Sequence, residues 1–315
     1  MSVFQYKFSY YGKGSELFKI KVVNAILCIF TLGIYYPWAK ARTLQYMYSQ
    51  TTFQKQPFAF SGTGKEMFRG FIKLIACIII FYALIGGLLL YVNAVLAILS
   101  AYVVMFSVIP FVIHSFLKYR LAKTKWQGIN FSYRGNLGEL LKIYFTGIFF
   151  TIITLGFYTP FLIMKLRRYV ISQIQIGDAK MNYLGEGWEY FGVCIFGYLL
   201  TLITFGIYFF WWQKDLFAFS IRNTSITRED QIVILKTDAT GADFASLLII
   251  NFLLIFFTLG LGTPWAMTRT FKFYAQHIDL FGDIDFNEIQ QSHDPEFSDA
   301  LGDDLSGIID IGAVI

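Results

Sequence analysis

The stretch Thr31-Leu32-Gly33-Ile34-Tyr35-Tyr36-Pro37-Trp38 decides how this chain is read, because it recurs. Thr154-Leu-Gly-Phe-Tyr158-Thr-Pro160-Phe161, Thr204-Phe-Gly-Ile-Tyr208-Phe-Phe-Trp211 and Thr258-Leu-Gly-Leu-Gly-Thr-Pro264-Trp265 repeat its pattern. Self-similarity of this kind sets the architecture before any single motif does. The register also extends outward from the octapeptide. Fifteen residues before the Thr stands an acid, Glu16, Glu139, Glu189 or Asp243; seven before it stand Asn24, Gly147, Gly197 and Asn251. Seven after it stand Trp38, Phe161, Trp211 and Trp265. On one continuous helix these columns would share a face.

Upstream of the acids lies a second recurring element: Phe8-Ser-Tyr10-Tyr-Gly12, Phe58-Ala-Phe60-Ser-Gly62, Phe131-Ser-Tyr133-Arg-Gly135 and Met181-Asn-Tyr183-Leu-Gly185. Alternating aromatics closed by Gly predict a short strand and a turn that enters a helix. The chain therefore divides into unit 1 (1–57), a modified unit 2 (58–130) carrying a two-span hairpin, unit 3 (131–180), unit 4 (181–230) and unit 5 (231–278). An acidic segment, 279–315, follows and is expected to be mobile.

Composition points to a membrane. Of 315 residues 56% are hydrophobic and 15% charged, against about 25% charged in an ordinary soluble domain. That excludes a disordered chain and argues against a soluble globular enzyme. Six apolar runs, near 20–39, 71–91, 95–117, 140–164, 190–212 and 245–267, are long enough to cross a hydrocarbon core of about 30 Å as helices. A short break at Tyr91-Val92-Asn93 makes the second and third a hairpin, with Gly86 and Gly87 as packing or kink points. The expected fold is thus an all-α polytopic membrane protein with about six transmembrane helices, built from degenerate internal repeats, with short β-strand elements between spans. The start of the chain lacks the pattern of a cleaved signal peptide, so the first apolar run is expected to stay as a membrane segment.

The net charge of +5 conceals a division. All 26 Lys and Arg lie at or before Lys272, whereas 10 of the 21 acids lie from Asp279 onward. The basic body predicts the lipid bilayer as partner, with anionic lipid head groups met by the basic loops, and no nucleic acid. Six alternating crossings would put 10 Lys/Arg on the side of the termini and 14 on the other, a weak preference for termini outside. Chain reversal at the breaks would instead leave more basic loops on one side. Leu305 to Ile315 are apolar enough to dock, with the basic loops as acceptor.

The aromatic-x-aromatic-x-Gly entries, the exit Thr31-Leu-Gly-Ile-Tyr-Tyr-Pro-Trp-Ala-Lys-Ala-Arg42 and the connection from Arg168-Tyr169 to Gly177-Asp178 resemble the YjgN family of bacterial inner-membrane proteins. The resemblance covers essentially the whole chain, including Gly302-Asp-Asp-Leu-Ser-Gly-Ile-Ile-Asp-Ile-Gly312. It implies a multi-pass location in the bacterial inner membrane and brings no activity or catalytic residue, the family being a domain of unknown function. The fourth unit departs from the pattern: Phe210 replaces the Pro, and Asp215 stands where Arg42, Lys165 and Arg269 stand elsewhere.

Candidate binding residues are Asn24, Thr31, Asn251 and Thr258, as polar groups along the spans, and the acids Glu16, Glu139, Glu189 and Asp243. Intramembrane carboxylates and amides can line pathways, but an acid in a first helical turn also faces the positive end of the helix dipole. A mid-span Asn serves more often as helix-to-helix glue. Gly33, Pro37 and Trp38, Gly156 and Pro160, Gly206 and Trp211, and Gly260, Pro264 and Trp265 form the structural motif. It reads either as a discontinuous helix of the kind that lines transporter sites or as an interfacial end anchored by Tyr, Trp, Lys40, Arg42, Lys165, Arg167 and Arg168. Cys28, Cys77 and Cys194 read as small core residues. His114, His277 and His293 make no metal or triad pattern, so no metal, cofactor or catalytic residue is expected. A transport or permeation component for a small molecule or ion is the leading expectation. A non-catalytic scaffold or envelope-associated interaction protein, its strands forming a platform, is the competing one.

Overall fold

The computed structural model describes residues 4–91 and 93–291. One element order, strand–helix–helix–strand, recurs five times. The first module is β1 (Phe4–Tyr10), α1 (Gly14–Phe30), α2 (Tyr36–Gln50) and β2 (Thr51–Phe53); the second is β3 (Gln56–Phe60), α3 (Gly64–Tyr91), α4 (Ala94–Ala122) and β4 (Thr124–Trp126). The third is β5 (Ile129–Tyr133), α5 (Leu137–Ile153), α6 (Thr159–Ser172) and β6 (Ile174–Ile176). The fourth is β7 (Ala179–Tyr183), α7 (Gly187–Ile203), α8 (Phe209–Arg222) and β8 (Thr224–Arg228). The fifth is β9 (Gln231–Lys236), α9 (Gly241–Phe257), α10 (Thr263–Gln276) and β10 (Asp279–Gly282).

The ten strands close into one antiparallel barrel in chain order, with β10 pairing β1 (Leu280 opposite Tyr6). Because every neighbour is antiparallel, the connections alternate between the two rims. Tight turns join modules at one rim; Gln54 and Lys55, with φ of 51° and 65°, form one of them, the geometry that suits the twist of paired strands. All five helical pairs leave from the other rim. Each helix packs on its neighbours in chain order, and α1 packs on α10, so the helices also form a closed ring.

This overturns the all-α class with about six transmembrane helices: the described residues contain a ten-stranded barrel and two helices, α3 and α4, long and apolar enough to cross a membrane. The other four apolar runs are folded back on themselves. In the first, Leu32 (φ 50°) and Gly33 (φ 87°) turn left-handed. The Gly33 N–H then donates to the Cys28 carbonyl at 2.7 Å and the Leu32 N–H to that of Ile29 at 3.2 Å, the double bond of a Schellman helix end. Thr31 Oγ1 donates to the Leu27 carbonyl at 2.7 Å and accepts the Tyr35 N–H at 3.0 Å, closing the turn. Pro37 then sits in the first turn of α2, where its missing N–H costs nothing. Leu155-Gly156, Phe205-Gly206 and Leu259-Gly260 repeat the same positive φ values and the same bonds. The motif is therefore the tip of a helical hairpin, where the chain reverses instead of continuing as one kinked helix.

The barrel interior is filled by Tyr6, Phe53, Trp126, Ile129, Ile226, Val233 and Leu280 together with Ile284, Phe286 and Ile289 from beyond β10. The segment expected to be mobile from Asp279 thus begins as the closing strand and continues into the core. Apolar residues set among acids carry it there: Phe286 is 2% exposed and Ile284 0%. The rest of that segment, including His293, Gly302–Gly312 and Leu305 to Ile315, lies outside the described residues, as does Val92. Gly86 and Gly87 have open space where a side chain would stand, with nothing within 4 Å, so they are not packing points among the described residues. Cys77 is exposed, not a core residue.

Candidate functional site

Three regions carry polar or aromatic chemistry: the hairpins, the junctions between modules and the filled barrel. Within hairpins, the second column of the repeat faces the partner helix. Asn24 is 4% exposed and its Nδ2 donates to the Ala39 carbonyl across the hairpin at 3.1 Å. Asn251 Nδ2 donates to Thr270 Oγ1 at 3.0 Å. Gly147 and Gly197 fill the same position where a larger neighbour approaches; a Cβ on Gly197 would lie 2.1 Å from Trp212 Cδ1. The two Asn side chains do not bond each other, and neither Oδ1 has a hydrogen-bond partner among the described residues. Thr258, like Thr31, is spent on its own turn, donating to the Leu254 carbonyl at 2.5 Å and accepting the Gly262 N–H at 2.6 Å.

The acids also stay within their own hairpins. Tyr46 Oη lies 3.1 Å from Glu16 Oε2, and Arg222 Nη2 lies 3.4 Å from Glu189 Oε2. Glu139 hydrogen-bonds Tyr169, thirty residues on as Tyr46 is from Glu16. Glu66, in the first turn of α3, meets Lys123 Nζ at 3.0 Å. Asp243 makes a reciprocal capping box with Thr240, whose hydroxyl and N–H hold the carboxyl below its usual range. These carboxylates sit at helix entries and form no shared ring of ligands.

The aromatic column does something the sequence did not reveal. Trp38 packs where a Cβ on Gly64 would stand, Phe161 does so at Gly187, Trp211 at Gly241 and Trp265 at Gly14. In four of the five junctions, then, the second helix of one module presses an aromatic ring onto the first turn of the next. The contact needs Gly because the ring carbon lies 2.3–2.5 Å from the would-be Cβ. The spacing of these Gly residues ahead of each acid was a usable signal.

Position 215 inverts its local chemistry. Lys165 Nζ donates to Tyr158 Oη at 2.7 Å, whereas Tyr208 Oη donates to Asp215 Oδ2 at 3.3 Å. Arg167, expected beyond the membrane edge, is buried at 7% exposure; it donates to the Ser220 hydroxyl and lies 5.8 Å from the Tyr183 ring centroid.

In the barrel, Phe286 meets Phe53 at 4.9 Å, Tyr6 at 5.0 Å and Trp126 at 6.3 Å between centroids, all edge to face. Tyr6 Oη donates to the Ile284 carbonyl at 2.8 Å, and burial with the nearby Asp285 charge pushes its hydroxyl pKa up to about 12. Arg228 clamps the segment from outside, pairing with Asp178 at 2.8 Å and donating to the Glu288 carbonyl at 2.9 Å. Sequence reasoning missed this plug because the acids around it dominate the composition.

The pattern of strands, hairpin tips and basic second helices can be compared with known proteins. An inner membrane protein YjgN of Salmonella typhimurium is 32% identical over 124 residues, 39% of this chain and 30% of that protein. YjgN of Escherichia coli O157:H7 is 29% identical over 135 residues, 42% of this chain and 32% of its relative, and that of E. coli K12 is 40% identical over 68, or 22% and 17%. The matched stretches thus span about a third or less of these relatives' own length. No solved structure matches the chain. The profile of the bacterial proteins of unknown function DUF898 matches residues 5–186 and 212–308, and this chain, which shares that profile and the YjgN sequences, belongs to that family.

Proposed function

We propose that the protein is a membrane scaffold of the bacterial inner membrane. In this reading a closed barrel sits on the cytoplasmic face, one helical pair crosses the bilayer, and four hairpins enter only the near leaflet. The depth follows from the basic collar. From Lys142 to the end of α5 at Ile153 is about 16 Å of helix, half of a hydrocarbon core, and Lys165 marks the return. From Lys73 to Tyr91 in α3 is about 27 Å, enough to reach the far side. Tip residues suit lipid: Leu32, Leu155, Phe205 and Leu259 are 93%, 91%, 97% and 93% exposed. The tips and the α3–α4 turn carry no Lys or Arg, so all 26 lie on the barrel side, which favours the cytoplasm over the termini-outside expectation. On this reading the five degenerate sequence units correspond to the five modules.

The filled barrel lumen carries the scaffold reading. A conduit along the barrel axis would run through Phe53, Trp126 and Phe286, and the polar residues that motivated transport are engaged inside separate hairpins. The test is side-specific labelling of single cysteines in a background lacking Cys28, Cys77 and Cys194. Lys55→Cys, Gln127→Cys and Lys180→Cys should react from the cytoplasmic side and Val95→Cys from the other. Opposite sidedness of positions 127 and 180, which six alternating crossings require, refutes the topology. Proteoliposomes should pass small ions no faster than protein-free vesicles; a protein-dependent flux refutes the scaffold.

A further inference from the structure

Two hairpins hold grooves built alike. Between α5 and α6 a cavity of about 380 Å³ is lined by Glu139, Lys142, Lys165 and Tyr169 above an apolar floor of Ile143 and Gly147. Between α9 and α10 a cavity of about 280 Å³ is lined by Asp243, Arg269, Lys272 and His277 above Leu247. Their acids hold the same register position. Each carboxylate is already engaged, Glu139 by Tyr169 and Asp243 by Thr240, and His277 Nδ1 is 2.6 Å from Asp238. Lys142, Arg269 and Lys272 make no ion pair with the described residues, and Asp238 lies outside the lining of the second groove, so the lining of each groove sets two Lys or Arg cations against one carboxylate, a surplus of one positive charge among the lining residues. That surplus is what a single phosphodiester neutralises.

We propose that these two grooves are seats for individual anionic phospholipids: the headgroup phosphate lies between the paired cations, Lys142 with Lys165 and Arg269 with Lys272, and the acyl chains run along the hairpin toward its tip. The apolar half of such a seat exists. Trp265 stands one turn from Arg269, and with Leu254, Leu261 and Phe18 it lines an apolar cavity of about 600 Å³. Beside the other groove, Phe149, Phe150 and Ile153 lie exposed on the tipward part of α5. The fourth hairpin is the internal contrast, because it carries Gly192 and Asp215 where the third has Lys142 and Lys165, and so offers no cation pair. A zwitterionic headgroup would leave the surplus charge uncompensated.

The inference rests on the basic collar facing lipid, and its test is separable from that reading. Full-length protein in neutral detergent is titrated with dioleoyl phosphatidylglycerol, dioleoyl phosphatidylcholine or inorganic phosphate, and bound lipid is counted by native mass spectrometry. Lys142→Ala with Lys165→Ala should remove one tightly held phosphatidylglycerol, and Arg269→Ala with Lys272→Ala another, each pair weakening retention about thirtyfold. Lys142→Arg with Lys165→Arg should retain the lipid, which separates charge from folding. Phosphatidylcholine should be held no better by wild type than by the variants. Equal retention of phosphatidylglycerol by the fourfold variant overturns the proposal, and so does equal retention of phosphatidylcholine by wild type. Displacement by millimolar inorganic phosphate would point to a free anion and overturn it too. Cysteine sidedness in the same variants reads the topology independently: preserved sidedness with unchanged lipid retention sinks only the seats.

Discussion

Phe286→Ala tests whether the segment after β10 is a packed plug. Its ring is 2% exposed and touches Phe53, Tyr6 and Trp126 edge to face. Truncating a buried Phe costs about 3–5 kcal/mol, transfer and cavity terms together. The loss should act locally, because the segment past Asp283 is held to the barrel by contacts of its own, among them Tyr6 to the Ile284 carbonyl, Arg228 to the Glu288 carbonyl, Gln290 N–H to Asp178 and Asn130 N–H to Gln291 Oε1. Native-state hydrogen exchange reads this directly. If the segment opens as a unit, protection of the Glu288 and Gln290 amides should fall by roughly a hundredfold to several thousandfold, at tenfold per 1.4 kcal/mol. Amides of α5 and α6, far along the chain and packed elsewhere, should change by less than threefold. A fall at Glu288 under tenfold, or an equal fall in both regions, refutes the plug as a separately held element.

Other substitutions probe the hairpins. Gly197→Ala should cost about 1–3 kcal/mol in thermal unfolding, since the added Cβ meets Trp212 at 2.1 Å, whereas Gly192→Ala, open on all sides, should be neutral or stabilising. Gly156→Ala has space around it but a φ of +94°, so a loss of about 1 kcal/mol there would be backbone strain alone. Thr240→Ala should cost about 1 kcal/mol by removing the cap of α9. Because the pKa of Asp243 is depressed in the folded protein, its share of that cap is present above the unfolded carboxyl value and fades as pH falls through the folded one, visible as an acid-side loss absent in the variant. Tyr6 works oppositely: raised from 10.0 to about 12, it stabilises the plug fully below pH 10 and progressively less between 10 and 12, measurable by exchange at Glu288 against a Tyr6→Phe control.

The local grammar of the chain was legible. The aromatic-x-aromatic-x-Gly stretches fall in β1, β3, β5 and β7, and the first-turn acids stand at helix entries. The meaning of the Thr-Leu-Gly motif was not. A Leu with positive φ is rare, so the sequence suggests a broken helix or an interfacial end, and only the fold-back shows that Leu32, Leu155, Phe205 and Leu259 occupy left-handed turns. Hydropathy counts apolar residues along the chain without knowing whether it doubles back, so four hairpins read as four spans. Arg167 and Phe286 were misread likewise, since burial depends on neighbours distant in sequence.

Sequence by itself determined the recurring motifs, the separation of basic from acidic residues and the apolar runs, because spacing and composition are local properties of the chain. Tertiary structure decided the rest: that short strands from five modules close into one barrel, that each aromatic ring meets the next module's Gly, and that an acid-rich segment buries Ile284, Phe286 and Ile289. Closure requires β10 to find β1 across the whole chain, and pairing of that kind is fixed by burying all ten strands' inward faces at once, a condition no single unit contains.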